Sequence, residues 1–171
     1  HTVYIKRMTA AVSALSENKT KLNCKVCQLV KLYKNGEPYK MSKRAGDFIS
    51  AQDLINEVDK DAIRFMMLNR SNDVELDFDF DKVKEKSKEN PVFYVQYAYA
   101  RINSILRSLD TNLTDKILVN KGDFNFNKFE EKIIRKIFEW PKIIESTSRK
   151  FDLHKIPFYL YELSTLFHAY W

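Results

Sequence analysis

Asn35-Gly36-Glu37-Pro38-Tyr39-Lys40-Met41-Ser42-Lys43-Arg44-Ala45-Gly46 joins a hairpin turn to a short basic loop. Asn and Gly both tolerate positive φ, so Asn35-Gly36 predicts a two-residue turn between strands. The strand before it is expected over residues 22–33, with Leu22, Val26, Leu29, Val30 and Leu32; the return strand is short, Glu37 to Tyr39. The hairpin therefore delivers Lys40 straight into the loop. Lysine is a compact charge with three donors on a flexible stem, so Lys40 and Lys43 suit a polyphosphate whose oxygens move during a reaction. Ser42 adds a hydroxyl, and Gly46 frees the backbone to turn. A solvated surface cluster has the same composition, so the flanking residues must decide.

After the loop the chain reads as helical. Ser50 followed by Asp53 resembles a capping box and predicts a helix over 51–57; a second is expected over 61–69, burying Ala62, Phe65, Met66 and Met67. Leu76-Asp77-Phe78-Asp79-Phe80-Asp81 alternates apolar and acidic residues, and fits a short strand, a turn or the entry to a helix over 79–88. Its three Asp read better as charges near a helix N-terminus than as metal ligands. Asn90-Pro91 is a cap residue followed by Pro at the first helical position, and opens a long helix to about residue 109. Val95, Ala98, Ile102, Ile105 and Leu109 form its expected buried stripe. Tyr97, Arg101, Ser104 and Ser108 lie on another face, a set that suits RNA as well as ordinary helix packing.

Residues 110–125 read as a loop. A helix over 127–150 follows, with Phe129, Ile133, Ile137, Trp140 and Ile144 on one side, and Pro141 should kink or split it. The last helix starts near Ile156, with Pro157 in its first turn. Upstream of everything, residues 3–16 read as a helix with Tyr4, Met8, Ala11, Val12 and Leu15 on one face. His154 and His168 lack ligand-like partners in the sequence and read as structural.

Composition bounds these readings. The chain has 171 residues, 44% apolar and 30% charged, with only three Gly and four Pro, which argues against an all-β fold rich in turns. It holds no apolar run of about 18 residues that would span a bilayer. Residues 1–44 carry ten Lys/Arg against two Asp/Glu, residues 45–89 seven against twelve, and residues 90–171 twelve against nine. A basic start, an acidic middle and a mildly basic end fit a polyanion contacted at two places. Cys24-Lys25-Val26-Cys27 has no second ligand pair at zinc spacing, so it reads as two reduced thiols of a cytosolic protein. The chain starts at His1 without methionine and stops at Trp171 inside an apolar helical pattern, so a piece of a longer protein is expected.

Taken together, these blocks resemble a known family. Lys40-Met41-Ser42-Lys43-Arg44 looks like the KMSK-type signature loop of class I aminoacyl-tRNA synthetases. Arg44-Ala45-Gly46-Asp47-Phe48-Ile49, Asp61-Ala62-Ile63-Arg64-Phe65 and Leu76-Asp77-Phe78-Asp79 are similar to arginyl-tRNA synthetase. So is Asn90-Pro91-Val92-Phe93-Tyr94-Val95-Gln96-Tyr97-Ala98-Tyr99-Ala100-Arg101-Ile102, which looks like the opening of that family's helical anticodon-binding domain. The likeness covers residues 1 to about 107 in motif and the remainder in helical character. Asp47 departs from the family's usual Asn. His1-Thr2-Val3-Tyr4 resembles the end of a segment that usually reads Asp-His-His-Gly-Tyr, with Thr2 and Val3 departing from it. The family's His-Ile-Gly-His signature is absent from this sequence.

The resemblance implies a mainly α protein. Residues 1–89 would be the end of a class I catalytic domain, with the β-hairpin, signature loop and connecting helices. Residues 90–171 would be a helical-bundle anticodon-binding domain, incomplete at its end. It implies arginine–tRNA ligation in two steps, with arginine, ATP accompanied by Mg²⁺, and tRNA(Arg) as partners, and no metal held by the protein itself. Lys40 and Lys43 would be catalytic; His1, Lys40, Met41, Ser42, Lys43 and Arg44 would meet ATP; Tyr94, Gln96, Tyr97 and Arg101 would meet tRNA. A cytoplasmic monomer is expected, with no activity from these residues alone. Two competing readings are a cysteinyl enzyme, which shares a related helical domain, and a non-catalytic helical RNA-binding module.

Overall fold

The computed structural model describes residues 2–39, 49–108 and 125–171. The signature loop, His1 and most of the 110–125 segment lie outside the described residues. Helix α1 spans Thr2–Leu15. Strands β1 (Val30–Lys34) and β2 (Glu37–Pro38) form an antiparallel hairpin. Asn35 and Gly36 at its turn have φ of 54° and 75°, the left-handed pair that this tight turn demands. Helices α2 (Ala51–Glu57) and α3 (Lys60–Leu68) follow, then β3 (Leu76–Asp79) and α4 (Phe80–Lys84). The remaining helices are α5 (Pro91–Ser108), α6 (Lys128–Phe138), α7 (Trp140–Lys150) and α8 (Lys155–Tyr170). The fold is mainly helical with one small sheet, as the sequence leads one to expect.

The sheet has the order β2-β1-β3, and β3 lies parallel to β1 with Val30 opposite Leu76 and Tyr33 opposite Asp79. The ambiguous Leu76–Asp81 stretch is thus a strand that turns directly into a helix. Alternation aims Leu76 and Phe78 inward, and Phe80 follows them at the start of α4. Phe78 and Phe80 are fully buried, edge to face at 5.5 Å. Around them lie Leu54, Val58, Ala62, Val83 and Val92, one core shared by α2, α3, α4 and the first turn of α5. Phe65, Met66 and Met67 are partly buried against it.

Two of the acidic residues of this stretch, Asp79 and Asp81, serve backbone groups. Asp79 caps α4 by accepting from the amides of Asp81 and Lys82, and Asp81 accepts the amide of Asn35 at 2.7 Å. The strand expected over 22–33 is shorter than its pattern. Only Val30–Lys34 pairs as a strand, because β3 offers four residues to pair with. Upstream, Asn72 receives the Gln28 amide on its carbonyl and donates its side-chain amide to the Val26 carbonyl, so this segment is tied to a loop instead.

Asn90 is the buried hinge between α4 and α5. Its side-chain amide donates to the carbonyls of Val83 and Glu85 at 2.8 and 2.7 Å, and its oxygen accepts the Val92 amide at 3.1 Å. One side chain thereby ends α4, starts α5 and satisfies itself. Asn90→Ala is expected to cost about 2–3 kcal/mol, from an N-cap lost and two carbonyls left unpaired. In urea unfolding the midpoint should fall with the slope unchanged; an unshifted midpoint would count against this hinge.

Helix α8 packs against α5, α6 and α7, and so assembles the second half of the molecule. Pro141 splits the expected 127–150 helix: α6 ends at Phe138, and Pro141 sits in the first turn of α7, where its missing N–H costs nothing. Asn127 and Glu130 form a reciprocal capping box at the start of α6, although Asn127 was expected only as the approximate helix start. Lys25 joins the two halves, its ammonium donating to the Lys150 carbonyl and to Asp152, both at 3.1 Å.

Candidate functional site

Two features surround the positions singled out by the sequence. The first is the frame from which the signature loop departs. Tyr39 donates its amide to the Leu32 carbonyl at 2.7 Å and closes the hairpin just before Lys40. On the far side, Ser50 caps α2, with Asp53 reaching back to its amide at 2.9 Å. Between these ends lie Lys40, Met41, Ser42, Lys43 and Arg44, which, like His1, fall outside the described residues.

One carboxylate ties this frame together. Glu57 Oε1 meets Lys34 Nζ at 2.7 Å and Lys84 Nζ at 3.2 Å. Lys34 ends β1, Glu57 ends α2 and Lys84 ends α4. The hydrogen bond from Lys34 holds the Glu57 carboxyl below its usual range, with Lys84 adding to the effect against partial desolvation. A carboxyl depressed on folding stabilises the fold above its unfolded pKa, and the contribution is lost as pH falls through its folded pKa. The destabilisation caused by Glu57→Gln should therefore be full at neutral pH and shrink below the ordinary glutamate range. Urea midpoints of both proteins across that range would check it; a gap independent of pH would contradict the ion-pair account.

The second feature is an aromatic cluster on α5 and α8. Phe93 and Tyr97 stand one turn apart on α5, with rings nearly parallel and centroids 6.0 Å apart. His168 on α8 stacks on Tyr97 at 5.5 Å, and its Nε2 lies 3.2 Å from the Tyr94 carbonyl. The Arg101 guanidinium lies 5.5 Å from the Tyr97 ring centroid and 4.9 Å from that of Trp171, both within cation–π range. Tyr97 keeps 47% of its surface exposed and Trp171 keeps 62%, so the cluster faces outward.

The four expected RNA contacts thus divide by environment. Tyr97 and Arg101 meet in the cluster, and Gln96 is exposed beside a cavity of about 250 Å³ between α2, α4 and α5. Tyr94 is half-buried in the α5–α8 seam, its ring 5.2 Å from Tyr161 and 4.5 Å from His168. Sequence reading missed Phe93 and His168 as members of the cluster. The Phe93–Tyr97 spacing of one turn was a usable signal; no spacing within either helix brings α8 onto α5. The expected stripe of α5 is also rotated: Val92 and Ala98 are buried, Val95 and Ile105 half-buried, and Ile102 is 39% exposed. Leu109 lies outside the described residues.

Residues 95–171 match the family profile of the DALR anticodon binding domain. The whole chain is 59% identical to an arginine–tRNA ligase of Pelagibacter ubique and 52% identical to one of Ruegeria pomeroyi, and covers 30% of each. A Campylobacter jejuni crystal structure assigned as an arginyl-tRNA synthetase superposes with a TM-score of 0.82 at 33% identity, over 98% of this chain and 36% of that one. The chain spans about three tenths of the length of these curated relatives, and it is similar to them over its whole length, through the hairpin and the helices of the anticodon-domain match alike.

Proposed function

We propose that this chain works within a complete arginine–tRNA ligase, where it supplies the ATP-facing loop and the surface for the anticodon arm. The division falls near residue 89, with the end of the catalytic domain before it and the anticodon-binding helices after it. The observation that supports this reading best is the match to arginine–tRNA ligases along the entire chain, signature sequence and Asn90 block included.

In the first step the arginine carboxylate attacks the α-phosphorus of ATP, forming arginyl-adenylate and breaking the bond to pyrophosphate. Negative charge grows on the departing pyrophosphate. Lys40 and Lys43 neutralise it, with Ser42 and the loop's backbone amides in support and Arg44 alongside. In this reading Met41 serves to anchor the loop, and His1 takes part in meeting ATP. Mg²⁺ arrives with ATP, and among the described residues no cluster of His, Cys, Asp and Glu is arranged to hold a metal. In the second step the arginyl group passes from the adenylate to the 3′ end of tRNA(Arg). Tyr97, Arg101 and Gln96 meet the anticodon arm, and Tyr94 supports them from the seam.

The complete ligase acts as a cytoplasmic monomer, and the 171 residues alone carry no aminoacylation activity. No described helix is long and apolar enough to cross a membrane. Arginine-dependent ATP–pyrophosphate exchange on the complete protein, with and without tRNA(Arg), tests the reading. Exchange that requires both arginine and tRNA is expected; exchange driven instead by cysteine would overturn the choice of amino acid.

A further inference from the structure

Lys34, Glu57 and Lys84 come from three different elements, and both lysines meet Glu57 at one carboxylate oxygen. Their positions in the chain give the cluster its meaning. Lys34 lies just before the hairpin turn, and the chain runs from that hairpin into the signature sequence. Glu57 closes the first helix after that sequence, and Lys84 closes the short helix that Asn90 fastens to α5. Resting on the proposed ligase reading, we propose that Glu57 is a positioning residue for adenylate formation, buckling together the hairpin and α2, which flank the signature sequence in the chain, and tying both to α4.

The surroundings favour a geometric role. Lys34 Nζ lies 5.8 Å from the Phe80 ring centroid, so its stem is steered by the core as well as by charge. The neighbouring Asn35 amide is held by Asp81 on the same α4, so the turn is fastened twice. Side-chain exposures of 41%, 29% and 42% for Lys34, Glu57 and Lys84 leave the pairs half-screened, and such pairs contribute little to stability alone. Their value lies in angle and distance. A phosphate-binding lysine misplaced by about 1 Å through a distant change can lose up to about a hundredfold in rate.

The test uses the complete ligase with Glu57→Gln, Lys34→Ala, the double variant, and Glu57→Asp. Lys31→Ala is the control: Lys31 lies on the same strand and pairs with Glu75 at 2.6 Å, away from the buckle. Arginine-dependent ATP–pyrophosphate exchange is measured at saturating tRNA(Arg), with tRNA affinity measured separately. Each single variant should lower kcat/KM for ATP by roughly tenfold, and the double variant by about the same factor as Glu57→Gln alone, because that change already removes the Lys34–Glu57 pair. Glu57→Asp should recover part of the loss, Lys31→Ala should match wild type, and tRNA affinity should hold in all of them. Unchanged exchange in Glu57→Gln, losses that multiply, or a parallel fall in tRNA affinity each overturn the proposal. A wild-type enzyme with no arginine-dependent exchange overturns the ligase reading first, and the buckle with it.

Discussion

Lys43→Ala in the complete ligase is expected to lower arginine-dependent ATP–pyrophosphate exchange by roughly 100- to 1,000-fold, or about 3–4 kcal/mol of transition-state stabilisation. The reason is the timing of charge. ATP enters the site already polyanionic, and binding it needs many contacts, of which one lysine is a minor part. Charge on the β-phosphate side grows only as the bond from the α-phosphorus to the leaving oxygen breaks. A lysine that tightens onto pyrophosphate at that moment acts on kcat far more than on KM. Affinity for tRNA should stay within about a factor of two, since the role proposed for Lys43 is on the leaving pyrophosphate and not on the anticodon arm. Lys43→Arg should rescue little, because a planar fork does not follow moving oxygens as a single ammonium does. Equal losses of exchange and tRNA affinity would show that Lys43 serves the fold or the RNA and not the reaction.

Which parts of this molecule could be read in advance follows from where the determining interactions lie. Asn35-Gly36, Ser50 with Asp53, Asn90-Pro91 and Pro141 each act within a few residues of themselves. Positive φ, a capping oxygen and a missing N–H are local facts, and the turn, the starts of α2 and α5, and the break between α6 and α7 fall where they predict. The length of β1 is a different matter. Residues 22–29 have strand-like composition, but a strand needs a partner, and β3 is too short to provide one. The parallel pairing itself, of residues 30–33 with 76–79, had no local signal.

The same distinction runs through the candidate site. Tyr97 and Arg101 share one face of α5 through helical spacing, so their association was legible. His168 comes from a helix remote in sequence, and its stacking on Tyr97 depends on how α8 docks. Tyr94 shows the cost of that blindness. It sits one turn before Ala98, which is buried, and docking of α8 draws it into the seam. Glu57 was read only as the end of a helix. Its two lysines are far along the chain on either side, and no pattern within α2 marks it.

Replacing both Tyr97 and Arg101 by alanine is expected to weaken tRNA(Arg) binding by roughly 10- to 100-fold, matching the 1–3 kcal/mol that stacking of one base on an aromatic side chain contributes. The cluster is arranged before RNA arrives. Phe93 and His168 hold the Tyr97 ring within 6° and 17° of their own planes, and Arg101 is steered by two rings at once. Ordering these side chains on binding therefore loses little rotamer entropy, which makes the half-exposed Tyr97 ring and the guanidinium effective contacts for their area. The loss should appear in KM for tRNA, and saturating tRNA should restore both pyrophosphate exchange and aminoacylation, because neither residue touches the reacting atoms. Tyr97→Phe with Arg101 intact should keep most of the affinity, since the stacked ring survives and only a hydroxyl is lost. Arg101→Lys should keep the charge but lose the flat contact with Tyr97 and Trp171, and fall between wild type and the double variant. Unchanged affinity in the double variant would move the anticodon arm off this face of α5 and α8 altogether.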